Sequence, residues 1–240
     1  ITADGESNLV YWIVAAHSYK EARQLNQKVL DRTAERMIRR TEAYWRLWAC
    51  KEPIDFSPLP EPLRDHYVRS ELILRTQVDH DGAIIAANDT DITRFAGDTY
   101  SYMWPRDGAL CSQALILAGH SELSRRFFRF CSGVIEPEGF FLHKYNPTGT
   151  LASSWHPWFK DGKSSLPIQQ DETALVIWAL RRHFEVFRDV EFIREMHRTL
   201  VTLPAEWIIE YRDHNGLPRA SWDLWEERHG VHLFTVATCI

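Results

Sequence analysis

A ten-residue segment, 221–230, concentrates acidic and aromatic side chains. It has the sequence Ser-Trp-Asp-Leu-Trp-Glu-Glu-Arg-His-Gly, and its carboxylates are Asp223, Glu226 and Glu227. Adjacent Glu226 and Glu227 point in different directions in an extended segment, so we expect them to have different roles. A carboxyl group held against tryptophan and near a like charge has its protonated form favoured by desolvation and repulsion. Such a group suits general acid catalysis near neutral pH, and a solvated acidic turn before a helix is the alternative.

Two further loop motifs stand directly before predicted helices. Residues 100–107 are Tyr-Ser-Tyr-Met-Trp-Pro-Arg-Asp, and residues 167–172 are Pro-Ile-Gln-Gln-Asp-Glu. Arg106 and Asp107 together offer a donor and an acceptor, which suits the binding of vicinal hydroxyl groups; a surface ion pair with a helix cap is the alternative. Asp171 suits a helix N-cap or first turn, a position from which its side chain can still reach a ligand.

Tryptophan is abundant, with ten copies, and half of them fall in predicted loops. The loop tryptophans are Trp104, Trp155, Trp158, Trp222 and Trp225. Indole rings among polar side chains suit a ligand with apolar faces and polar edges, such as a pyranose ring. Simple filling of the loop layer by aromatic side chains is the alternative.

Apolar residues at three-to-four spacing predict a series of helices. The predicted helices cover about 63–79, 105–118, 121–135, 170–188 and 190–212, and another begins near 231. Short turns between them alternate with long polar and aromatic loops at 80–104, 136–169 and 213–230. Since long loops in a compact domain usually carry function, this pattern predicts an α/α toroid whose long loops open at one end.

The first sixty residues differ from the rest of the chain. Residues 8–16 form a β-branched and aromatic run that predicts a strand. From Tyr19 to about Ala49 the chain lacks proline and glycine, and its apolar spacing predicts one long helix. Residues 53–62 hold four prolines and predict a linker.

Composition and charge exclude several functional classes. The chain has 240 residues, a formal charge of −5 and a pI near 6.1. This acidic balance argues against a nucleic-acid or membrane-surface partner, since both favour basic patches. No apolar stretch approaches the roughly 18 residues of a membrane span. The four cysteines are widely spaced without a CxxC pair, so we expect free thiols, no metal site and no cofactor.

Both ends of the chain predict a fragment of a longer protein. Ile1 is not an initiator methionine, and residues 232–240 have the pattern of an apolar helix without a stop signal. No charged-then-apolar signal segment follows Ile1, which favours a cytoplasmic location. Secretion stays open, because a signal would be lost with the missing residues.

Four motifs in order resemble glycoside hydrolase family 15, which contains glucoamylases, glucodextranases and related trehalases. The three loop motifs above are joined by Ser-Trp-His-Pro-Trp at 154–158. The resemblance implies an all-α fold, with residues 61–240 forming the first half of an (α/α)6 barrel. It also implies a linker helix and proline-rich connection over 17–60, and the last strand of an N-terminal β-sandwich within 1–16.

The resemblance implies a role for each acidic residue of the 221–230 segment. Glu226 matches the general acid, and Glu227 matches a carboxylate that binds sugar on the leaving-group side. Asp223 resembles the acid that supports this loop. Arg106 and Asp107 match the pair that holds the terminal glucose by its hydroxyl groups.

Five further positions are implied less directly by the same resemblance. Trp104, Trp155 and Trp225 resemble walls of the glucose pocket. Gln169 and Asp171 occupy a motif that follows an important tryptophan in the fungal members. Ser165 stands where that tryptophan is expected, so Trp155 or Trp158 is expected to take its place.

The activity implied is inverting, exo-acting release of β-glucose from α-glucosides such as starch and maltooligosaccharides. The general base is expected in the missing C-terminal half of the barrel, so the fragment alone is expected to be inactive. Trehalase or glucodextranase activity, and a non-catalytic carbohydrate-binding toroid, are the alternatives. A toroid for an apolar substrate is disfavoured by the charged side chains of the loops.

Overall fold

The computed structural model describes residues 9–51, 54–88, 99–154, 156–157, 159–160 and 162–240. The chain divides into two compact units, Ile1–Pro60 and Glu61–Ile240. The assignment of the first unit to the end of a β-sandwich and a linker helix stays a prediction.

The first unit contains two helices where the sequence predicts one. Helix α1 spans Tyr19–Arg32 and helix α2 spans Ala34–Ala49. Thr33 separates them with a φ of 64°, and its hydroxyl accepts a hydrogen bond of 3.5 Å from the backbone N–H of Arg36. The prediction of one continuous helix was therefore wrong at this position. A threonine hydroxyl that caps the following helix competes with continuation of the preceding one.

The prediction of a strand at residues 8–16 was also wrong for the residues that the structure describes. The described part of this segment, residues 9–16, has no strand. A strand needs a hydrogen-bonding partner, and the described residues of this unit provide none for the segment.

The second unit is helical, which confirms the all-α prediction. Its helices are α3 (Glu61–Gln77), α4 (Pro105–Leu117), α5 (Ser121–Val134), α6 (Gln170–Phe187), α7 (Val190–His197), α8 (Leu203–Glu210) and α9 (Leu233–Thr238). Two small hairpins interrupt the long loops. They pair β1 (Phe159–Lys160) with β2 (Lys163–Ser164), and β3 (Ser221–Trp222) with β4 (His229–Gly230).

The segment predicted as a helix over 190–212 is divided by a π-helical turn, Arg198–Thr202. In this turn the backbone N–H of Leu203 donates to the carbonyl oxygen of Arg198. The next residue, Pro204, has no backbone N–H and so cannot continue the ladder of i to i−4 hydrogen bonds. Helix α8 begins at this point, where proline is tolerated in the first turn.

Helix α4 packs closely against α5 and α6, and α6 packs against α9. At the α4–α5 contact, a Cβ atom at Gly108 would lie 2.4 Å from the ring of Phe127. The short turns after α4 and α6 are residues 118–120 and 188–189, and long loops precede α4, α6 and α9. This is the alternation expected of a fragment of a helical barrel.

Candidate active site

The N-terminal turns of α4, α6 and α9 meet at one place. Nη1 of Arg106, in the first turn of α4, lies 2.8 Å from Oδ2 of Asp171 in the first turn of α6. The second oxygen of Asp171 accepts a hydrogen bond of 3.4 Å from the hydroxyl of Thr235 in α9. The three long loops that precede these helices therefore converge on Arg106.

Arg106 is the centre of a cluster of carboxylates, of which those of Asp171 and Glu172 are buried. Its Nη1 lies 3.1 Å from Oε1 of Glu172, and its Nε lies 3.7 Å from Oδ2 of Asp107. Burial alone would lower the pKa of Arg106, but Glu172 and Asp171 raise it above the ordinary value. Burial raises the pKa of Glu172 well above its ordinary value, against the opposing effect of Arg106. The guanidinium stays charged and holds the carboxylates in place.

The predicted acidic segment forms a hairpin loop between β3 and β4. The carboxylate of Asp223 accepts hydrogen bonds from the backbone N–H groups of Glu227, at 2.9 Å, and Arg228, at 3.3 Å. Burial would raise the pKa of Asp223, but these donors outweigh it and the pKa is lowered. Asp223 is therefore an ionised support for the loop that carries Glu226.

Two side chains anchor this hairpin loop to the helix N-termini. Nε2 of Gln169 donates to the carbonyl oxygens of Trp222, at 3.4 Å, and Asp223. Nη2 of Arg106 donates to the carbonyl oxygen of Leu224 at 3.5 Å. The position of the loop is thus coupled directly to the buried cluster around Arg106.

Glu226 is the carboxyl group that this scaffold presents. Its side chain is 7% exposed, and the indole of Trp104 donates a hydrogen bond to it. Two imidazoles face its Oε2, with Nε2 of His156 at 3.6 Å and Nε2 of His143 at 4.0 Å. Burial raises the pKa of Glu226, against opposing effects of His156, Lys144 and Arg106. A carboxyl group with a raised pKa is suited to donate a proton.

Cationic and aromatic groups surround this carboxyl. Lys144 is fully buried, with Nζ 4.6 Å from the ring centroid of Tyr102 and 5.6 Å from that of Trp104. Burial, and then the charge of Lys144, lower the pKa of His143 to about 4. His143 is therefore neutral near pH 7, and the charged group on this side of Glu226 is Lys144.

A cavity opens beside Glu226. It measures about 460 Å³ including the space open to solvent. Its lining residues are Ala86, Tyr100, Trp104, Arg106, Asp107, Leu224, Trp225 and Glu226. Trp225 is 81% exposed at this wall, so its ring is available to an incoming ligand.

Five of the predicted site residues line this cavity. They are Trp104, Arg106, Asp107, Trp225 and Glu226. The motifs around residues 104 and 226 are more than a hundred positions apart in sequence, and the structure brings them together.

The other predicted site residues have different positions. Gln169 and Asp171 are buried and reach Arg106 and the hairpin loop. Glu227 is exposed and is not among the described residues that line the cavity. Trp155 lies outside the described residues, as does its alternative Trp158.

Sequence reasoning missed four residues of the site. Glu172 and His156 lie inside two of the four motifs, but the family resemblance implies no role for them. His143 and Lys144 belong to a part of the 136–169 loop that lies outside the four motifs. Only the fold shows that they approach Glu226, some eighty positions later.

Within the described residues, no group of three or more His, Cys, Asp or Glu side chains is arranged to hold a metal ion. The helices of this part of the chain are all too short or too polar to cross a membrane. The four cysteines are free thiols, as the sequence predicts.

Two known proteins are similar in sequence to most of this chain. An uncharacterized glycosyl hydrolase of Methanocaldococcus jannaschii is 30% identical over 169 residues, covering 70% of this chain and 24% of that protein. Trehalase 2 of Sulfolobus acidocaldarius is 25% identical over 207 residues, covering 78% of this chain and 35% of that protein. The chain therefore spans only about a quarter to a third of these relatives.

A solved glycosidase structure has the same fold as this chain. It superposes with a TM-score of 0.54 at 19% identity, covering 71% of this chain and 46% of that chain. The family model described as glycosyl hydrolases family 15 matches residues 61–240. This match includes Arg106, the hairpin loop and Glu226, and it confirms the resemblance found in the four motifs. The chain belongs to glycosyl hydrolase family 15.

Proposed function

We propose that the whole protein is an inverting, exo-acting hydrolase that releases β-glucose from the non-reducing ends of α-glucosides, with Glu226 as its general acid. The observation that carries this proposal is the setting of Glu226. Its carboxyl is 7% exposed, has a raised pKa and lies at the wall of the cavity that Arg106 and Asp107 also line.

The cavity offers the contacts that a terminal glucose needs. Asp107 has a half-exposed carboxylate beside the guanidinium of Arg106, which suits acceptance of hydrogen bonds from adjacent hydroxyl groups. The exposed indole of Trp225 suits stacking against the apolar face of a pyranose. Gln169 and Asp171 act through Arg106 and the hairpin loop, because their polar atoms are already engaged there.

In the proposed reaction Glu226 donates its proton to the glycosidic oxygen, and the bond from that oxygen to the anomeric carbon breaks. Water attacks the anomeric carbon from the opposite face and loses its proton to a second carboxylate. Inverting enzymes keep the two carboxyl groups roughly 6.5–9.5 Å apart to admit this water. We expect the second carboxylate outside these 240 residues, in the other half of the barrel. Glu227 does not suit the role of base, since it is exposed and a direct neighbour of Glu226 does not reach the opposite face of the sugar ring.

Maltooligosaccharides are the first substrate class to test, and trehalose is the second. The similarity to Trehalase 2 of Sulfolobus acidocaldarius favours trehalose as the alternative. Isomaltose represents the glucodextranase alternative. All three sugars present a terminal α-glucosyl unit, so the cavity beside Glu226 suits each of them.

The test uses the full-length protein and its Glu226→Gln variant with maltotetraose, isomaltose and trehalose. Proton NMR follows the anomer of released glucose. We expect β-glucose from one of these sugars and a loss of several orders of magnitude in the variant. Glu227→Gln is the matched control, and its main effect should be on KM.

Two results would contradict the proposal. Initial release of α-glucose from maltotetraose would refute inversion. Trehalose does not give this test, because its leaving glucose keeps the α configuration when the attacked glucose is inverted. Binding of the sugars without any release by the full-length protein would favour a non-catalytic carbohydrate-binding toroid.

A further inference from the structure

The backbone of Glu226 has a conformation that glutamate rarely adopts. Its φ is 57°, in the left-handed region, where the Cβ of a non-glycine residue crowds the backbone. Such a conformation persists where the surroundings hold it. The contacts of the Glu226 backbone therefore decide where its carboxyl points.

Two hydrogen bonds hold this backbone from different directions. The N–H of Glu226 donates to the carbonyl oxygen of Asp223 at 3.0 Å, within the hairpin loop. The carbonyl oxygen of Glu226 lies 3.0 Å from Nε2 of His156, seventy positions earlier in the chain. Because a carbonyl oxygen only accepts, Nε2 of His156 carries the proton.

His156 is itself held in place. Its ring stacks on the indole of Trp222, with ring centroids 3.8 Å apart and planes inclined by 6°. Its backbone N–H donates to the hydroxyl of Ser154 at 3.1 Å. An imidazole fixed by a stacked ring and by its own backbone is a rigid hydrogen-bond donor.

We propose that His156 is a positioning residue of the active site, which fixes the backbone carbonyl of Glu226 and thereby aims the Glu226 carboxyl at the glycosidic oxygen. This inference rests on the proposed role of Glu226 as general acid. The neutral Nε2–H form of His156 is sufficient for the role. A positive charge on a ring 3.6 Å from Oε2 would instead favour the ionised carboxylate, to which Lys144 and Arg106 already contribute.

Two substitutions separate the hydrogen bond from the stacking. His156→Phe keeps an aromatic ring against Trp222 but has no donor for the carbonyl of Glu226. His156→Gln retains an N–H donor on a flexible side chain. The matched control is His229→Phe, since His229 contacts Trp222 edge-on at 5.4 Å and has no described hydrogen bond to Glu226.

The experiment compares two substrates of the full-length protein. The first is the sugar that it cleaves best among maltotetraose, isomaltose and trehalose, whose leaving group needs a proton. The second is α-glucosyl fluoride, whose fluoride leaves without a full proton transfer. Thermal unfolding is measured for every variant.

We expect His156→Phe to lower kcat on the sugar about 10- to 100-fold, because misplacement of a reacting group by about 1 Å costs rates of this order. KM should change less than threefold, and the rate on α-glucosyl fluoride should stay within about threefold of wild type. His156→Gln should recover part of the lost kcat, and His229→Phe should match wild type.

Equal losses on both substrates, or no loss on the sugar, would overturn the inference. Glu226→Gln in the same assay distinguishes this failure from that of the proposed function. Glu226→Gln could lose activity on the sugar and keep activity on α-glucosyl fluoride, while His156→Phe behaves like wild type. In that case only the role of His156 is refuted. If Glu226→Gln retains the sugar activity, the general acid itself is wrong.

Discussion

The guanidinium of Arg106 and the carboxylate of Asp171 lie 2.8 Å apart, and their side chains are 10% and 1% exposed. This pair joins the first turns of α4 and α6, and Glu172 adds a second buried carboxylate to the same guanidinium. Buried charges are tolerated only when they are paired. The cluster therefore fixes the positions of the two helix ends that frame the cavity.

Removal of Arg106 should destabilise the fold strongly. Arg106→Met leaves the carboxylates of Asp171 and Glu172 buried without a counter-charge, so we expect a loss of about 3–5 kcal/mol at pH 7. The loss should shrink as the pH falls, because burial raises the pKa of Glu172, whose carboxyl group can then bind a proton and lose its charge. Urea unfolding at pH 7 and pH 5 measures both effects.

The matched control for this prediction is the exposed pair of Arg129 and Glu195, whose side chains are each 45% exposed. Arg129→Met should cost no more than about 1 kcal/mol, since exposed ion pairs contribute little. Equal losses from Arg106→Met and Arg129→Met would contradict the view that burial makes the Arg106 cluster important.

Because α4 and α5 lie close together, Gly108 should not tolerate a larger side chain. A Cβ atom at Gly108 would lie 2.4 Å from Cε2 of the buried Phe127 ring, so Gly108→Ala should cost about 1–3 kcal/mol through overpacking. Gly133→Ala is the control, because nothing lies within 4 Å of its added Cβ and α5 includes it. It should stabilise the protein by up to about 1 kcal/mol. Thermal unfolding of both variants tests the contrast.

The ends of the helices that carry the site were predictable from local sequence. Pro105 has the fixed φ of a first helical turn, and Asp171 suits the positive end of a helix dipole, so α4 and α6 begin where the motifs predict. Thr33 was less predictable, because an apolar pattern continues on both sides of it and only its capping hydrogen bond marks the break.

The surroundings of Glu226 could not be predicted from local sequence. His143 and Lys144 reach it through tertiary packing of a loop stretch that has no periodicity and lies outside the four motifs. The left-handed backbone of Glu226 also has no local cause in its sequence, since glutamate does not favour it. Both features depend on contacts between distant loops.

A buried histidine should make the fold less stable in acid. Burial lowers the pKa of His183 to about 4, against about 6.5 in an unfolded chain. The unfolded state then binds the proton more tightly than the folded state does. The contribution of His183 to the free energy of unfolding is therefore complete above pH 6.5 and falls as the pH approaches 4. Between pH 7 and pH 5 the free energy of unfolding should fall by about 2 kcal/mol through His183.

Urea unfolding of His183→Gln at several pH values measures this contribution as a change in how steeply the free energy of unfolding depends on pH. The variant loses packing against Phe128 and the hydrogen bond to Ser124, so it should be less stable than wild type at pH 7. Its stability should nevertheless fall less between pH 7 and pH 5. His197→Gln, at an exposed position, is the control. An unchanged pH dependence in His183→Gln would assign the acid sensitivity to other groups, such as His143.

The charge of Lys144 should set the alkaline limit of activity. Lys144 lowers the pKa of Glu226, so Lys144→Met should raise it. A general acid works in its protonated form, and the alkaline limb of kcat/KM reports its ionisation in the free enzyme. The limb should therefore move to higher pH in Lys144→Met, provided that thermal unfolding shows a folded variant. Lys163→Met, at an exposed position of β2, should leave the limb in place. A shift to lower pH in Lys144→Met would mean that the limb reports a group other than Glu226.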